Sequence, residues 1–295
     1  MNNKPTLRID SEHARNGIAT TGVMTYWDDF EKIVVPKLYE NFEILEDNIT
    51  PSKFFLSFHK VIFDRKLPGD LMARWRTRVV RILHIPSMYH VERVYEHERM
   101  YNKFITHYEQ LDKRMKGLSG IKASAFIPMS IDTEKLPQNN SNKKGIIYFG
   151  NITTTKTHIY RELKKSGIKF DTLSLSALNP VEQPNGKKYS FEECLEIVSG
   201  YEIGIGVGRA ALEMIAMGLK VIIAGRHYSG PILNQKDFEM QWKSNCNSDV
   251  GITGVINFEK DVNKIREAEA VDPLQVDMRN FASKYVEEII NFTEK

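Results

Sequence analysis

The chain has 295 residues, 41% of them hydrophobic and 27% charged, which is an ordinary globular composition. That length suits two domains of roughly 100–150 residues better than one. No apolar run reaches the ~18–20 residues that span a bilayer, and the opening MNNKPTLRIDSEHARNG has no apolar leader core, so a cytoplasmic location is expected. Two cysteines, Cys194 and Cys246, are too few for a disulfide framework and lack zinc-ligand spacing. The formal charge is only +3, but residues 60–81 hold seven basic side chains and two acidic ones, leaving the remainder slightly acidic.

In chain order, residues 6–9 read as a short strand, followed by a loop holding Gly17 and Gly22. A helix runs from about Thr25, with Trp27, Phe30, Val34 and Leu38 three or four apart, until Pro36 ends or bends it. Residues 54–58 and 79–85 are apolar runs of buried-strand type, and the segment after Tyr89 is charged and helical in character. Residues 103–106 form another short strand, and residues 126–131 close this half. The polar run PQNNSNKK at 137–144 is a linker. Beyond it, strands at 145–149, 170–175, 202–207 and 220–224 alternate with helices at 157–165, 191–198 and 209–217. Such alternation implies parallel strands, because parallel neighbours need long crossovers. Cys194, among apolar neighbours in one of these helices, reads as a buried, inert thiol. The final helix, 278–290, carries Met278, Phe281, Ala282, Tyr285, Val286, Ile289 and Ile290 on one stripe that must pack on something.

The most informative stretch is GIGVGRAALEMIAMGLKVIIAG at 204–225. An apolar strand enters a tight turn at Gly206 and Gly208, and a helix starts at once, so its first N–H groups and its dipole offer an anion site. That helix is apolar on nearly every side, which makes Glu213 conspicuous: a carboxylate in a buried helix needs a partner or a ligand. Arg209, four residues earlier, can be that partner. The dipole opposes a cation in the first turn unless an anion offsets it, and a nucleotide phosphate would supply one. The spacing GxGxxG is absent, so a dinucleotide site has little support.

Strand, glycine turn and GRAALEMIAMGLKVIIAG together resemble the donor-binding motif in the C-terminal domain of GT-B glycosyltransferases. IIYFGNITTTK at 146–156 is similar to the first strand and loop of that domain, and IPMSIDTEKL at 127–136 to the segment ending the N-terminal domain. The resemblance covers about residues 80–290. It implies that the glutamate at 213 holds the ribose hydroxyls of a nucleotide-sugar, and that Lys156 contacts the donor phosphates. Two positions depart from the family pattern: Ile205 stands where retaining members often carry a second glutamate, and Asn151 replaces a common basic residue. The glycine-rich opening of the family is only faintly matched at 16–22.

Two further stretches bear on chemistry. ILHIPSMYH at 82–90 lies at the end of an expected strand, where open α/β sheets bind ligands, so His84 or His90 is a candidate for polarising an acceptor hydroxyl. RWRTRVVR at 74–81 offers Arg74, Arg76 and Arg78 for phosphates and Trp75 for stacking, as polyanion binding requires; a solvated strand edge is the plainer reading. An anionic membrane surface would attract the same charges. Arg226 and His227, after the fourth strand of the second half, can face the donor or simply lie in a surface loop.

The expectation is therefore an α/β protein of GT-B type, two Rossmann-like domains facing across a cleft. Residues 1–136 would bind the acceptor and 145–295 the nucleotide-sugar, with the last helix packing back on the first domain. The donor-site set is Asn151, Lys156, Gly206, Gly208, Arg209, Glu213 and Arg226. The expected activity is hexosyl or pentosyl transfer to a hydroxyl of a glycan precursor or of a hydroxylated, phage-type DNA base. The nucleotide-sugar would be a co-substrate, with no cofactor and no metal, since Asp-x-Asp is absent. The competing expectations are a non-catalytic nucleotide-sugar-binding protein and another GT-B enzyme, such as a sugar-nucleotide epimerase or a phosphorylase.

Overall fold

A computed structural model describes residues 4–10, 21–45, 54–59, 78–83, 103–116, 124–137, 144–152, 156–174, 189–253, 255–269 and 271–293. The chain forms two compact units. One combines Met1–Met129 with Met278–Lys295, and the other is the continuous stretch Ser130–Asp277.

The first unit is built on six strands: β1 (Thr6–Asp10), β2 (Glu43–Leu45), β3 (Phe54–His59), β4 (Arg78–Leu83), β5 (Lys103–Thr106) and β6 (Ser124–Phe126). They lie in the order β2-β1-β3-β4-β5-β6, and every neighbouring pair is parallel. Helix α1 (Thr21–Ile33) begins earlier than the apolar pattern indicates and takes in Gly22. The first N–H groups of a helix have no intrahelical partner, so a glycine there costs little. Pro36 has the expected effect: α1 stops at Ile33, and a separate short helix α2 (Val35–Leu38) carries the proline in its first turn. Helix α3 (Glu109–Lys116) follows β5.

The spaced apolar residues are buried, Trp27 and Phe30 on α1 with Val34 and Leu38 beyond it, and Tyr26 beside them is shielded from solvent too. Against α1 lies the last helix, Arg279–Thr293. Its residues Ala282, Tyr285, Val286 and Ile289 are buried, as is Met278 just before it. The Tyr285 ring meets Phe30 edge-on at 5.4 Å, and its hydroxyl shares a hydrogen bond with Tyr26.

Of the residues 126–131 that close this half, only Phe126 is in a strand, as the last residue of β6. The reason lies in its neighbour. Ile127 N still donates to Thr106 O at 3.0 Å, but the Ile127 carbonyl is bonded by the His107 imidazole Nδ1 at 2.8 Å, and no further ladder forms. Farther on, in the second unit, Ile131 N donates to Val276 O, while Thr133 Oγ1 donates to the Asp277 carboxylate.

The second unit carries β7 (Ile146–Phe149), β8 (Asp171–Leu173), β9 (Ile203–Gly206), β10 (Lys220–Ala224) and β11 (Tyr228–Pro231), ordered β11-β10-β9-β7-β8. All pairs are parallel except β10–β11. Helices α4 (Thr157–Lys165), α5 (Phe191–Ser199) and α6 (Arg209–Ala216) match the sequence expectation closely. Strands β7 and β9 are buried at every position, which is what a parallel sheet covered on both faces requires. One face packs Ile146, Tyr148, Ile203, Ile205 and Ile222 against Ile159, Leu163, Val262 and Ile265 of the flanking helices.

Three elements of this unit were not legible beforehand: β11, α7 (Gln235–Trp242) and α8 (Phe258–Glu267). β11 holds Gly230 and Pro231 and pairs on one edge only, the setting in which a strand tolerates them. Both helices had a usable signal: Asn234 caps α7 through Asp237 N, and Asn257 caps α8 through Lys260 N. Among the described residues, no helix is long and apolar enough to cross a membrane.

Candidate functional site

The order of the strands fixes where a ligand belongs in the second unit. From β7 the chain goes to β8 on one side and returns to β9 on the other, so the direction of winding reverses between β7 and β9. In open α/β sheets the carboxyl ends at such a reversal form a binding crevice. Gly150 and Asn151 leave β7 there, and Val207 and Gly208 leave β9.

Strand β9 reads Ile-Gly-Ile-Gly, and each residue type has its own face. Ile203 and Ile205 enter the core, while Gly204 and Gly206 let α6 press onto the sheet. A Cβ on Gly206 would stand 2.7 Å from the Phe149 carbonyl oxygen and 2.8 Å from Met214 Cε; on Gly204 it would stand 2.2 Å from Met214 Sδ. A backbone carbonyl cannot step aside, whereas a methionine can change rotamer. Gly206→Ala is thus expected to lower stability by about 1–3 kcal/mol, and Gly204→Ala by less. Denaturant midpoints of the two variants check this, and the reverse ranking would mean that the helix, not the strand spacing, is the rigid element.

Gly208 precedes α6 with φ 64° and ψ −137°, a conformation that side-chain-bearing residues rarely adopt. No side chain caps the helix. The N–H of Gly208 is already spent on Cys246 O at 2.7 Å, and the first intrahelical bond runs from Leu212 N to Gly208 O. The donors of the first turn therefore lie beyond Gly208, where Ala210 is half-buried and lies 3.8 Å from where a Cβ on Gly150 would stand. The β7 and β9 turns thus meet at the start of α6.

Arg209 and Glu213 pair with each other: Nε donates to Oε1 at 2.7 Å, with side chains only 7% and 2% exposed. The carboxylate supplies, from inside the protein, the negative charge that offsets a cation in the first turn. Lys156, at the start of α4, is half-buried, and burial lowers its pKa from the ordinary lysine value. Among the described residues it makes no ion pair. Asn151 is half-buried, and Arg226, just past β10, is exposed. The two thiols are poor nucleophiles: burial first, then the Glu193 and Glu192 carboxylates, pushes Cys194 up to about 11, and burial pushes Cys246 higher still.

His84, His90, Arg74, Trp75, Arg76, Gly17 and the segment after Tyr89 lie outside the described residues. Arg78 opens β4, where it pairs in register with Phe54. Sequence reasoning passed over His107, the residue after β5, which is buried beside Tyr26 with ring centroids 4.9 Å apart. Among the described residues no three His, Cys, Asp or Glu side chains converge to hold a metal ion.

No family model matches the sequence, and no characterised protein sequence matches it. Among solved structures, the chain is similar to an α1,3-fucosyltransferase at 9% identity and a TM-score of 0.43, covering 74% of this chain and 68% of that one. It is also similar to T4 phage BGT in complex with its UDP-glucose substrate, at 9% identity and a TM-score of 0.44, covering 99% of this chain and 97% of that one. Neither likeness carries the assignment below, which rests on the site.

Proposed function

We propose that the protein is a glycosyltransferase of GT-B type that moves a sugar from a nucleotide-sugar to a hydroxyl acceptor, with the donor held by the second unit. The observation that carries this reading is the edge between β7 and β9. A helix without a side-chain cap starts there at Gly208, Ala210 of its first turn faces Gly150, and Lys156, half-buried and without an ion pair among the described residues, starts the helix after β7. A half-buried ammonium at a helix N-terminus is a combination suited to a diphosphate.

In this reading Lys156 and the first turn of α6 hold the diphosphate, with Asn151 and Arg226 on the flanking loops. Glu213, paired with Arg209, would take the ribose hydroxyls. Transfer then needs the acceptor oxygen aligned with the anomeric carbon, while fixed positive groups stabilise the departing nucleoside diphosphate. The first unit would take the acceptor, a glycan precursor or a hydroxylated DNA base, using Arg74, Trp75, Arg76 and Arg78, with His84 or His90 acting on its hydroxyl.

The test is thermal unfolding of the full chain against nucleoside diphosphates and their sugars. A ligand at ~100 times its dissociation constant should add roughly 2.7 kcal/mol of apparent stability. One base should stand out, and its sugar conjugates should then support transfer to glycan or hydroxymethylated DNA acceptors. Stabilisation without transfer or hydrolysis would leave a binding protein, conversion of the donor to its epimer would leave an epimerase, and no stabilisation by any of them would overturn the reading.

A further inference from the structure

One group at this edge is oriented more closely than a surface loop requires. Past β10 the chain turns at Gly225, Arg226 and His227 into β11. Gly225 N donates to His227 O at 3.0 Å, and His227 N donates to Ser248 Oγ at 3.2 Å. A Cβ on Gly225 would stand 2.8 Å from both Ser248 Oγ and Val207 Cγ2, so the ends of β9 and β10 and the 245–249 loop leave no space between them. The same loop fixes the glycine turn through Cys246 O and Gly208 N.

The loop holds Asn245, Cys246 and Ser248 at φ 58°, 48° and 68°. Three side-chain-bearing residues in the left-handed region within four positions store strain, which persists only where the surroundings over-determine it. Its next residue is Asp249. Asn247 Nδ2 donates to Asp249 Oδ2 at 2.8 Å, and Asp249 N donates to Asn247 Oδ1 at 3.1 Å, which leaves Oδ1 of Asp249 towards His227 Nε2, 4.0 Å away. The two side chains are 38% and 30% exposed, so a ligand can reach the ring.

We propose that His227, oriented by Asp249, contacts the diphosphate of the donor, on the opposite side of the β9 turn from Lys156. The proposal rests on the donor-site reading above. β10 is one ladder spacing from β9, about 5 Å, so His227 lies beside the glycine turn while Lys156 follows from β7 on its other flank. With Nε2–H directed at a carboxylate, Nδ1 can donate to an anionic oxygen only when the ring is the imidazolium, the form that a diphosphate beside it favours. Asp249 is the positioning residue, because it sets which ring nitrogen is turned outward.

The experiment is calorimetric titration of UDP, GDP, CDP and ADP, and of the four matching monophosphates, into the full chain and its His227→Asn and Asp249→Asn variants. For the base that the unaltered protein selects, His227→Asn should weaken the diphosphate about tenfold, the scale of one charge-assisted hydrogen bond, and leave the monophosphate within about twofold. Asp249→Asn should give a smaller loss of the same kind with an unchanged melting temperature. Equal loss for both nucleotides, or none for either, overturns the assignment of His227 while leaving the donor site standing. Failure of the unaltered protein to bind any of the eight nucleotides overturns the donor site itself.

Discussion

Replacing Glu213 with alanine is expected to cost about 3–5 kcal/mol of stability, because it removes the carboxylate that pairs with a buried guanidinium. Arg209 is 7% exposed and bonded to Glu213 at 2.7 Å, so water cannot replace the lost carboxylate. It also sits in the first turn of α6, where the dipole already disfavours a cation. Removing both charges together, as Arg209→Met with Glu213→Leu, should restore most of the loss, since both members of the buried pair are then replaced by apolar groups of similar volume. Urea midpoints of the single and double variants make the comparison. A loss below ~1 kcal/mol for Glu213→Ala would show that Arg209 is compensated elsewhere. The result also governs how the proposed donor site can be probed: Glu213→Ala confuses ligand loss with unfolding, whereas Glu213→Gln keeps the volume and one acceptor oxygen.

The second large effect is acid-driven and belongs to the first unit. His107 is wholly buried, and desolvation lowers its pKa from 6.5 to about 4, against a smaller opposing contribution from its hydrogen bond to the Ile127 carbonyl. A folded-state pKa below the unfolded one means that the unfolded chain binds the extra proton first. Stability from this group is therefore complete above about pH 6.5, falls as the pH drops towards 4, and changes no further below that. Across the window the loss approaches about 3 kcal/mol. Carboxylates titrate near its lower end, so the diagnostic comparison is with His107→Gln. The gap between the two proteins should narrow steadily from pH 7 to pH 4.5. A gap independent of pH would mean that His107 takes up its proton without unfolding cost.

Much of the second unit could be read from the residues, because its strands are continuous apolar runs and its glycines punctuate them. Ile203–Gly206 and Lys220–Ala224 fall where the pattern puts them, and α4, α5 and α6 match within a residue or so. What escaped notice carries little hydrophobic signal. β11 is a four-residue edge, and α7 and α8 are polar helices announced only by their asparagine caps. The candidate site shows the same division. Gly206, Gly208 and Glu213 stand out locally, since each breaks an apolar pattern. The role of the 245–249 loop could not be inferred, because its contacts with Gly208, Gly225 and His227 join positions far apart in the chain. His107 was invisible for another reason: burial, not any neighbour in sequence, lowers its basicity.

The route of the chain also dictates an order of assembly during translation. The second unit is uninterrupted, so all of its residues, through Asp277, are made before the last helix exists. The first unit draws on both ends of the chain, and the rings of Tyr26 and Phe30 lack the cover of Tyr285 until the final residues appear. Domains tend to fold as they emerge, at roughly 5–20 residues per second, so here the half that leaves the ribosome first must be completed last. In the interval its apolar helix face is exposed to other nascent chains and to chaperones. A stop between Asp277 and Tyr285 would leave the second unit's residues complete and deny the first unit the cover of Tyr285.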